Sequence, residues 1–325
     1  MRLLNATKQR TQEALKGLAS FIVTFIIVWL LATALLFVLL DLLPGDAASN
    51  QIGIAGEEAV GLLRQEMGLD KPLDQRYAEW LCGLLTGDPG KSYFTQKSVL
   101  EIIRIPVLSS LTVSGIVFVA LLCFTLPLAV FCAYYKNVWT KFISKLSVFL
   151  ASIPEIILTV LILMILSLQW RVLPVISNPG PGESVWTRPI SMVLPSICLW
   201  LICSVSMFRH LKVMIEDYAA TAYVREARIS GLSTRRVLFV HLLPSAAGGI
   251  AQVFASTIPY LLGGSMVVES VTSFPGMGYT LVSAIQNRES LVVMALGSIL
   301  ITFSFISYYL ADRFGWRSVQ KGGTE

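Results

Sequence analysis

From residue 18 to residue 40 this chain runs 23 residues without a charge, and five further apolar windows follow at 107–134, 146–168, 190–208, 246–268 and 291–311. A helix needs about 20 mostly apolar residues to cross a bilayer. No water is at hand inside the hydrocarbon to satisfy peptide groups, so such windows are read as helices. The expectation is an all-α integral membrane protein with six transmembrane helices. The fourth window is the shortest and carries Pro195, so its ends are the least defined. Hydrophobic residues at 55% and charged residues at 14% agree with this and exclude a soluble domain. The first window runs into Leu42-Leu43-Pro44-Gly45-Asp46 with no small-residue cleavage site, so it is read as a retained anchor.

Six windows divide the polar segments into two sets. Residues 1–17, 135–145, 209–245 and 312–325 carry 16 of the 25 Lys and Arg and 6 acids, against 9 basic and 13 acidic residues on the opposite set. Cytoplasmic loops are enriched in Lys and Arg, so both termini are expected in the cytoplasm. The clearest vote is the short loop 135–145, with Lys136, Lys141 and Lys145 and no acid. The expected organisation is a cytoplasmic N-terminus 1–17, a first transmembrane segment 18–43, an extracytoplasmic insertion 44–106, a membrane core 107–311 containing a cytoplasmic loop 209–245, and a cytoplasmic tail 312–325.

The insertion is patterned as helix. Leu73, Tyr77, Trp80, Leu81 and Leu84 share one helical face, which must pack on something. Gly68 can close a short helix before it and Pro72 can open the next. The face either caps the membrane helices or docks an extracytoplasmic partner, and the two are compatible.

Catalytic machinery is hard to find. Gly87-Asp88-Pro89-Gly90-Lys91-Ser92 ends like a phosphate loop, but GxxxxGK[ST] needs glycine where this chain has Leu85. The segment also falls on the side where ATP is not supplied, and it is read as a turn. No HExxH or GxSxG occurs. His210 and His241 sit at window edges, where lipid headgroups or backbone carbonyls can partner them. Cys123, Cys132, Cys198 and Cys203 lie in apolar windows, Cys82 in a polar loop, and no CxxC pair is present. Neither a disulfide framework nor a metal site is expected.

Ion-coupled carriers place several ionisable groups at depth in the membrane. Here only Glu155, after Pro154 in the third window, lies at clear depth, whereas Asp41, Glu269 and Asp312 stand at window ends close to water. One buried acid makes a poor relay. Glu155 either faces a pathway and attracts a cationic group of a substrate, or pairs with a polar neighbour at the Pro154 kink.

The cytoplasmic segment is more specific. Glu216 and Asp217 are read at the start of a helix, where negative charge suits exposed amides. Ala219, Ala222, Tyr223 and Ala227 then form one narrow face whose small side chains let another protein approach. Gly231 stops this helix, Ser233 can cap the next, and Arg225, Arg228, Arg235 and Arg236 supply charge. On the residues alone, this is equally an interfacial helix pair whose arginines hold anionic lipid.

The segment resembles the EAA loop of ABC importer permeases, whose pattern is EAA, three residues, Gly, nine residues, then I-x-L-P. Aligned on Gly231, Arg225, Glu226 and Ala227 stand at the EAA positions, His241 at the Ile position, and Leu243-Pro244 at the closing Leu-Pro. The arginine at the first position is similar to the dipeptide/oligopeptide/nickel branch. Two further stretches resemble that branch: Met67-Gly68-Leu69-Asp70-Lys71-Pro72-Leu73 with Tyr77, Trp80-Leu81 and Gly87-Asp88, and the run from Glu269 to Pro275, Gly276 and Gly278.

The resemblance implies a type I ABC importer permease core in a bacterial inner membrane. It implies a second homologous permease subunit, two cytoplasmic ATP-binding subunits that hold ATP-Mg, and an extracytoplasmic substrate-binding protein. Residues 216–232 would contain the coupling helix. The chain itself would bind no cofactor or nucleic acid and would be no enzyme. Its cargo would be peptides, peptide-like small molecules or metal chelates such as those of nickel. Without the resemblance, a self-sufficient secondary carrier or channel is the alternative, and an intramembrane enzyme a third.

Overall fold

A computed structural model describes residues 2–49, 57–180 and 183–322. Of the expected insertion, residues 50–56 lie outside the described residues, as do Met1 and the end of the tail from residue 323. The described elements are helical, broken by turns. Among the described residues, five helices are long and apolar enough to cross a membrane: Ala19–Asp41 within α1 (Arg2–Asp41), Val99–Tyr134, Ile190–Ala219, Thr234–Thr272 and Ser290–Leu310.

The third window differs from its expectation of one helix. It is a pair, α6 (Val138–Ala151) and the stretch Glu155–Gln169 that opens with α7 (Glu155–Leu163), bent by 105°. The cause is local. A residue before proline is disfavoured in the α region, and proline itself cannot donate to the turn before it. Ile153 therefore leaves the helix, and Pro154 adopts an extended ψ of 141° before α7 begins. Counted as one broken span, the pair brings the total to six.

The chain divides into two compact units, Met1–Leu100 with Ala284–Phe305, and Glu101–Ser283 with Ile306–Glu325. In the first, α3 (Leu73–Thr86) turns its expected apolar face onto α1 and the start of α14 (Ser290–Gly322). Trp80 is buried with Phe37 and Met294, and Leu73, Tyr77, Leu81 and Leu84 pack around them. Trp29 stacks on Trp80 at 6.2 Å, and the Tyr77 hydroxyl meets Thr33 Oγ1 at 2.9 Å. Pro72 precedes α3, and Gly68 has a φ of +65°. Gly297 lets α14 approach α1, since a Cβ there would strike Leu36.

The second unit is built around α8 (Ile190–Ala219), which has 61% of its apolar window buried against 11% for the first span. Small residues let its neighbours close in: Ala129, Cys132 and Ala133 of α5 (Leu126–Tyr134), and Ala246 and Gly248 of α11 (Leu243–Pro259) are buried. At 30 residues α8 is roughly 45 Å long against a hydrocarbon core of about 30 Å, so it outruns the membrane and carries Arg209, Lys212 and Glu216 beyond its apolar part. α4 (Val99–Ala120) joins α5 through a π-turn at Leu121–Thr125, and another π-turn at Val237–Leu242 precedes α11. Each π-turn stands directly before a Leu-Pro pair, Leu126-Pro127 and Leu243-Pro244, where proline lacks the amide that would continue the α-helical ladder.

Candidate functional site

The basic segment after α8 folds into α9 (Ala222–Ile229), eight residues long. Thr221 is extended and separates α8 from α9, with its hydroxyl donating to the Tyr218 carbonyl at 2.7 Å. Gly231 follows at φ +77°, and nothing lies within 4 Å of the place its Cβ would occupy. Backbone conformation, not space, therefore calls for glycine. Val224 and Ala227, three residues apart, are buried in the unit's core with Val237 and Leu242, while Ala222, Tyr223, Arg225, Glu226 and Ile229 face outward.

Two contacts pin this short helix. The Arg228 guanidinium lies over the Tyr134 ring at 4.8 Å, and Tyr223 Oη meets His241 Nδ1 at 2.8 Å. His241 thus has a phenol partner, where its position at a window edge suggested a lipid headgroup or a carbonyl.

Three expectations for the segment are corrected. Glu216 and Asp217 stand at the end of α8, not at the start of a helix, because Leu211 and Ile215 continue the buried stripe of α8 without a breaker before Ala220. Lys212 meets Glu216 at 3.5 Å one turn earlier and offsets part of the unfavourable dipole interaction. Ala219 belongs to α8 and packs on its core, so Ala219, Ala222, Tyr223 and Ala227 do not form one outward face. Ser233 occupies the cap position before α10 (Thr234–Arg236), but its side chain makes no capping bond. Leu243 is half-buried and Pro244 exposed at the first turn of α11.

Glu269 lies in α12 (Met266–Thr272) and is 3% exposed, so its expected place beside water is also corrected. Ser110 Oγ donates to Oε1 at 2.7 Å, Ser265 Oγ to the same oxygen at 2.9 Å, and the Tyr279 amide to Oε2 at 3.0 Å. Ser110 Oγ in turn accepts from the Met277 amide at 2.7 Å. The chain folds back over the carboxylate: Ser273 is left-handed at φ 53°, Phe274 is fully buried, and the Gly276 amide donates across Pro275 to the Phe274 carbonyl at 2.8 Å. A side chain at Gly276 would collide with the Glu269 carboxylate, and one at Gly278 would come within 2.6 Å of Met266 Cα. The Pro-Gly-x-Gly spacing is thus the backbone's close approach to a buried acid.

Glu155 is the first residue of α7, half-buried at the 105° break. Tyr260 packs on a cluster containing Ile153 and Leu158, which flank Glu155 on the chain. Its hydroxyl is buried.

In the other unit, the loop that resembles a phosphate cradle already holds an anion of the chain's own. Ser92 Oγ donates to Glu289 Oε1, and the Tyr93 and Phe94 amides point to the same carboxylate at 3.2 and 3.4 Å. Glu289 is 7% exposed, so this loop is an occupied turn.

Residues 125–318 match the family described as the inner membrane component of binding-protein-dependent transport systems, and residues 15–112 match its N-terminal part. The chain belongs to this family. The permease is 31% identical over 288 residues to the glutathione transport system permease protein GsiC of Salmonella choleraesuis. It is 30% identical over 285 residues to that of Pectobacterium atrosepticum and 29% over 286 residues to that of Escherichia coli. Each match covers 86% of this chain and 89% of the relative. It is a multi-pass inner-membrane permease subunit of a binding-protein-dependent ABC importer, a transport subunit and not an enzyme.

Sequence reasoning about the permease missed the partners of the residues it singled out. Ser110 is a hydroxyl in an apolar window, and Tyr134 is an aromatic residue with an ordinary reason to be there. A polar atom within a span must find a partner, so Ser110 carried a weak signal. Tyr134 carried none, because only the fold brings Arg228 to it.

Proposed function

We propose that this permease imports small peptides or peptide-like molecules, drawing its energy from two separate ATP-binding subunits that grip α9. The observation that carries the reading is the two-sided character of that helix. Val224 and Ala227 anchor it in the membrane unit, while Ala222, Tyr223, Arg225, Glu226 and Ile229 present a mixed charged and apolar face outward. A partner that pushes on the outward face moves the membrane helices through the anchored one. Ala219, Gly231, Leu243 and Pro244 set the entry, exit and angle of this element. Glu269, Pro275, Gly276 and Gly278 hold the far end of the same span in shape.

The loop 209–245 and both termini lie in the cytoplasm, and 44–106 faces the opposite side, where a binding protein delivers cargo. A second homologous permease completes the pathway, and ATP-Mg is bound by the partner ATPases. The relatives' name supports a peptide-like cargo, since glutathione is a tripeptide, and Glu155 supports one bearing a cationic group.

The test is co-expression with the neighbouring genes. The expected result is co-purification of an ATPase and a second permease, with Gly231→Asp releasing the ATPase and abolishing uptake. Full assembly and uptake in Gly231→Asp would overturn the coupling role. Uptake of a nickel chelate, but of no peptide, would overturn the cargo.

A further inference from the structure

Arg288 stands in the turn that leads into α14 at φ 60°, a backbone region that residues other than glycine, asparagine and aspartate rarely enter. Such strain persists only where the surrounding structure enforces it, and it gathers at ligand clamps and active sites. From this turn the guanidinium reaches the Pro44 carbonyl, to which Nη2 donates at 2.7 Å. Arg288 thereby lines a cavity of about 330 Å³, together with Phe37, Asp41, Asp46, Arg64 and Arg76.

Three guanidiniums share this cavity with two carboxylates, and both carboxylates are taken. Asp41 accepts from Arg76 at 2.8 Å, and Asp46 from Arg64 at 2.7 Å. The Ser49 amide holds Asp46 at 2.7 Å as well, and the Arg76 guanidinium, 17% exposed, lies over the Phe37 ring at 5.5 Å. Neither pair is free to rearrange toward Arg288. Among the described residues no acid stands within ion-pair distance of Arg288, and its carbonyl partner carries no charge. Residues 50–56, which follow Ser49 at the cavity wall, contain no acid either.

A preformed cavity with one cation in surplus selects an anion. The planar fork of arginine fits carboxylate and phosphate alike, but the two carboxylates at the wall repel a doubly charged phosphate more than a singly charged carboxylate. Small-molecule sites run from about 300 to 1,000 Å³. This cavity is at the foot of that range, which suits one side chain inserted by a partner.

We propose that the cavity is a socket for an acidic side chain of the extracytoplasmic binding protein, with Arg288 as its main partner. The proposal rests on the importer reading above, in which 44–106 and the turn before α14 face the side where that protein delivers cargo. An incoming carboxylate accepts two parallel bonds from the Arg288 fork, and the anchored Arg64 and Arg76 keep the socket's other acids neutralised.

The test measures docking of the importer's own binding protein, with and without cargo, on the complete complex in lipid nanodiscs at low and physiological salt. Arg288→Ala should raise the Kd about tenfold, the lower end of what a hydrogen bond to a charged group is worth, and flatten its dependence on salt. Arg288→Lys keeps the charge but not the fork and should recover part of the loss. Arg288→Glu should abolish docking, and a scan of the binding protein's surface acids should find one acid-to-lysine change that restores it. Should Arg288→Ala fail to assemble, Arg288→Lys and the charge swap decide the question.

Unchanged docking in the assembled Arg288 variants, or an Arg288→Glu defect that no acid-to-lysine change repairs, overturns the socket and leaves the importer reading standing. Normal docking with reduced uptake assigns Arg288 to a carboxylate of the cargo and also overturns it. An equal loss in the double variant Glu57→Gln and Glu58→Gln, with no rescue by the charge swap, would make Arg288 the partner of this chain's own acid. A binding protein that does not dock on the wild-type complex overturns the importer reading, and the socket with it.

Discussion

The Arg228 guanidinium stands 4.8 Å above the centre of the Tyr134 ring, joining the last turn of α9 to the last residue of α5. A cation over an aromatic face is worth about 0.5–2 kcal/mol, depending on how much water is excluded. The pair is therefore strong enough to bias the angle of an eight-residue helix, yet weak enough to yield when the helix is driven. Arg228→Ala and Tyr134→Leu should each raise the ATP hydrolysed per molecule imported. The double variant should be little worse than either single one, as expected of a shared contact. Additive losses would show that the two residues act separately.

Gly231 needs the left-handed backbone and has open space where a Cβ would lie. An L-residue in that conformation costs roughly 1–2 kcal/mol, with asparagine the most tolerant. Gly231→Ala should weaken ATPase association, measured by pull-down of the intact complex, and Gly231→Asn should weaken it less. Equal behaviour of the two variants would move the explanation from conformation to a surface contact.

Ser110 bonds Glu269 and Met277 at once, at 2.7 Å each, so Ser110→Ala leaves a buried carboxylate oxygen and a buried amide each short of a partner. The expected cost is about 1–3 kcal/mol. It should appear as a lower midpoint for heat-induced loss of the monodisperse peak in detergent. Gly276→Ala should be worse than Ser110→Ala, because its methyl meets the Glu269 carboxylate directly.

Asp46 and Arg64 form an ion pair at 2.7 Å in the 44–106 segment. Burial by itself would raise the Asp46 carboxyl. Hydrogen bonds from the Arg64 guanidinium and from the Ser49 amide and hydroxyl outweigh it, and hold the group below the usual carboxylate range. A depressed folded pKa adds stability above the unfolded value, about 3.9, and that stability is lost as pH falls through the folded value. Both side chains are partly exposed, Arg64 at 43% and Asp46 at 29%, so the effect is modest and screened by salt. Protease nicking near residues 57–66 should rise as pH falls below about 4, and in Arg64→Ala it should begin at a higher pH. Identical profiles would remove the pair from the account of this segment.

The apolar windows were legible because membrane insertion is read from one dimension: about 20 residues of low polarity suffice, whatever they later touch. The face of α3 was legible because Tyr77, Trp80 and Leu84 recur at helical spacing, and they meet Phe37 and Met294 as such a face must meet something. The family was legible through Gly231, Leu243-Pro244 and the Pro275-Gly276-Met277-Gly278 run, which are backbone requirements written into residue type. The same reasoning put Ala219 and Ala227 on a shared outward face. It failed because helix periodicity holds only within one helix, and the break at Thr221 depends on where α8 stops packing.

The sequence alone determined that this chain is a membrane protein, which stretches are apolar enough to cross a bilayer, and which glycines and prolines punctuate them. Those features follow from hydration and local backbone preference, which act residue by residue. Only the tertiary structure decided that Glu269 is enclosed, that Glu289 fills the loop at Ser92, and that Arg228 rests on Tyr134. Those outcomes join groups far apart in the chain, 159 residues for Ser110 and Glu269. The partner of a polar group at such a separation is chosen by how the helices pack, which no local pattern records.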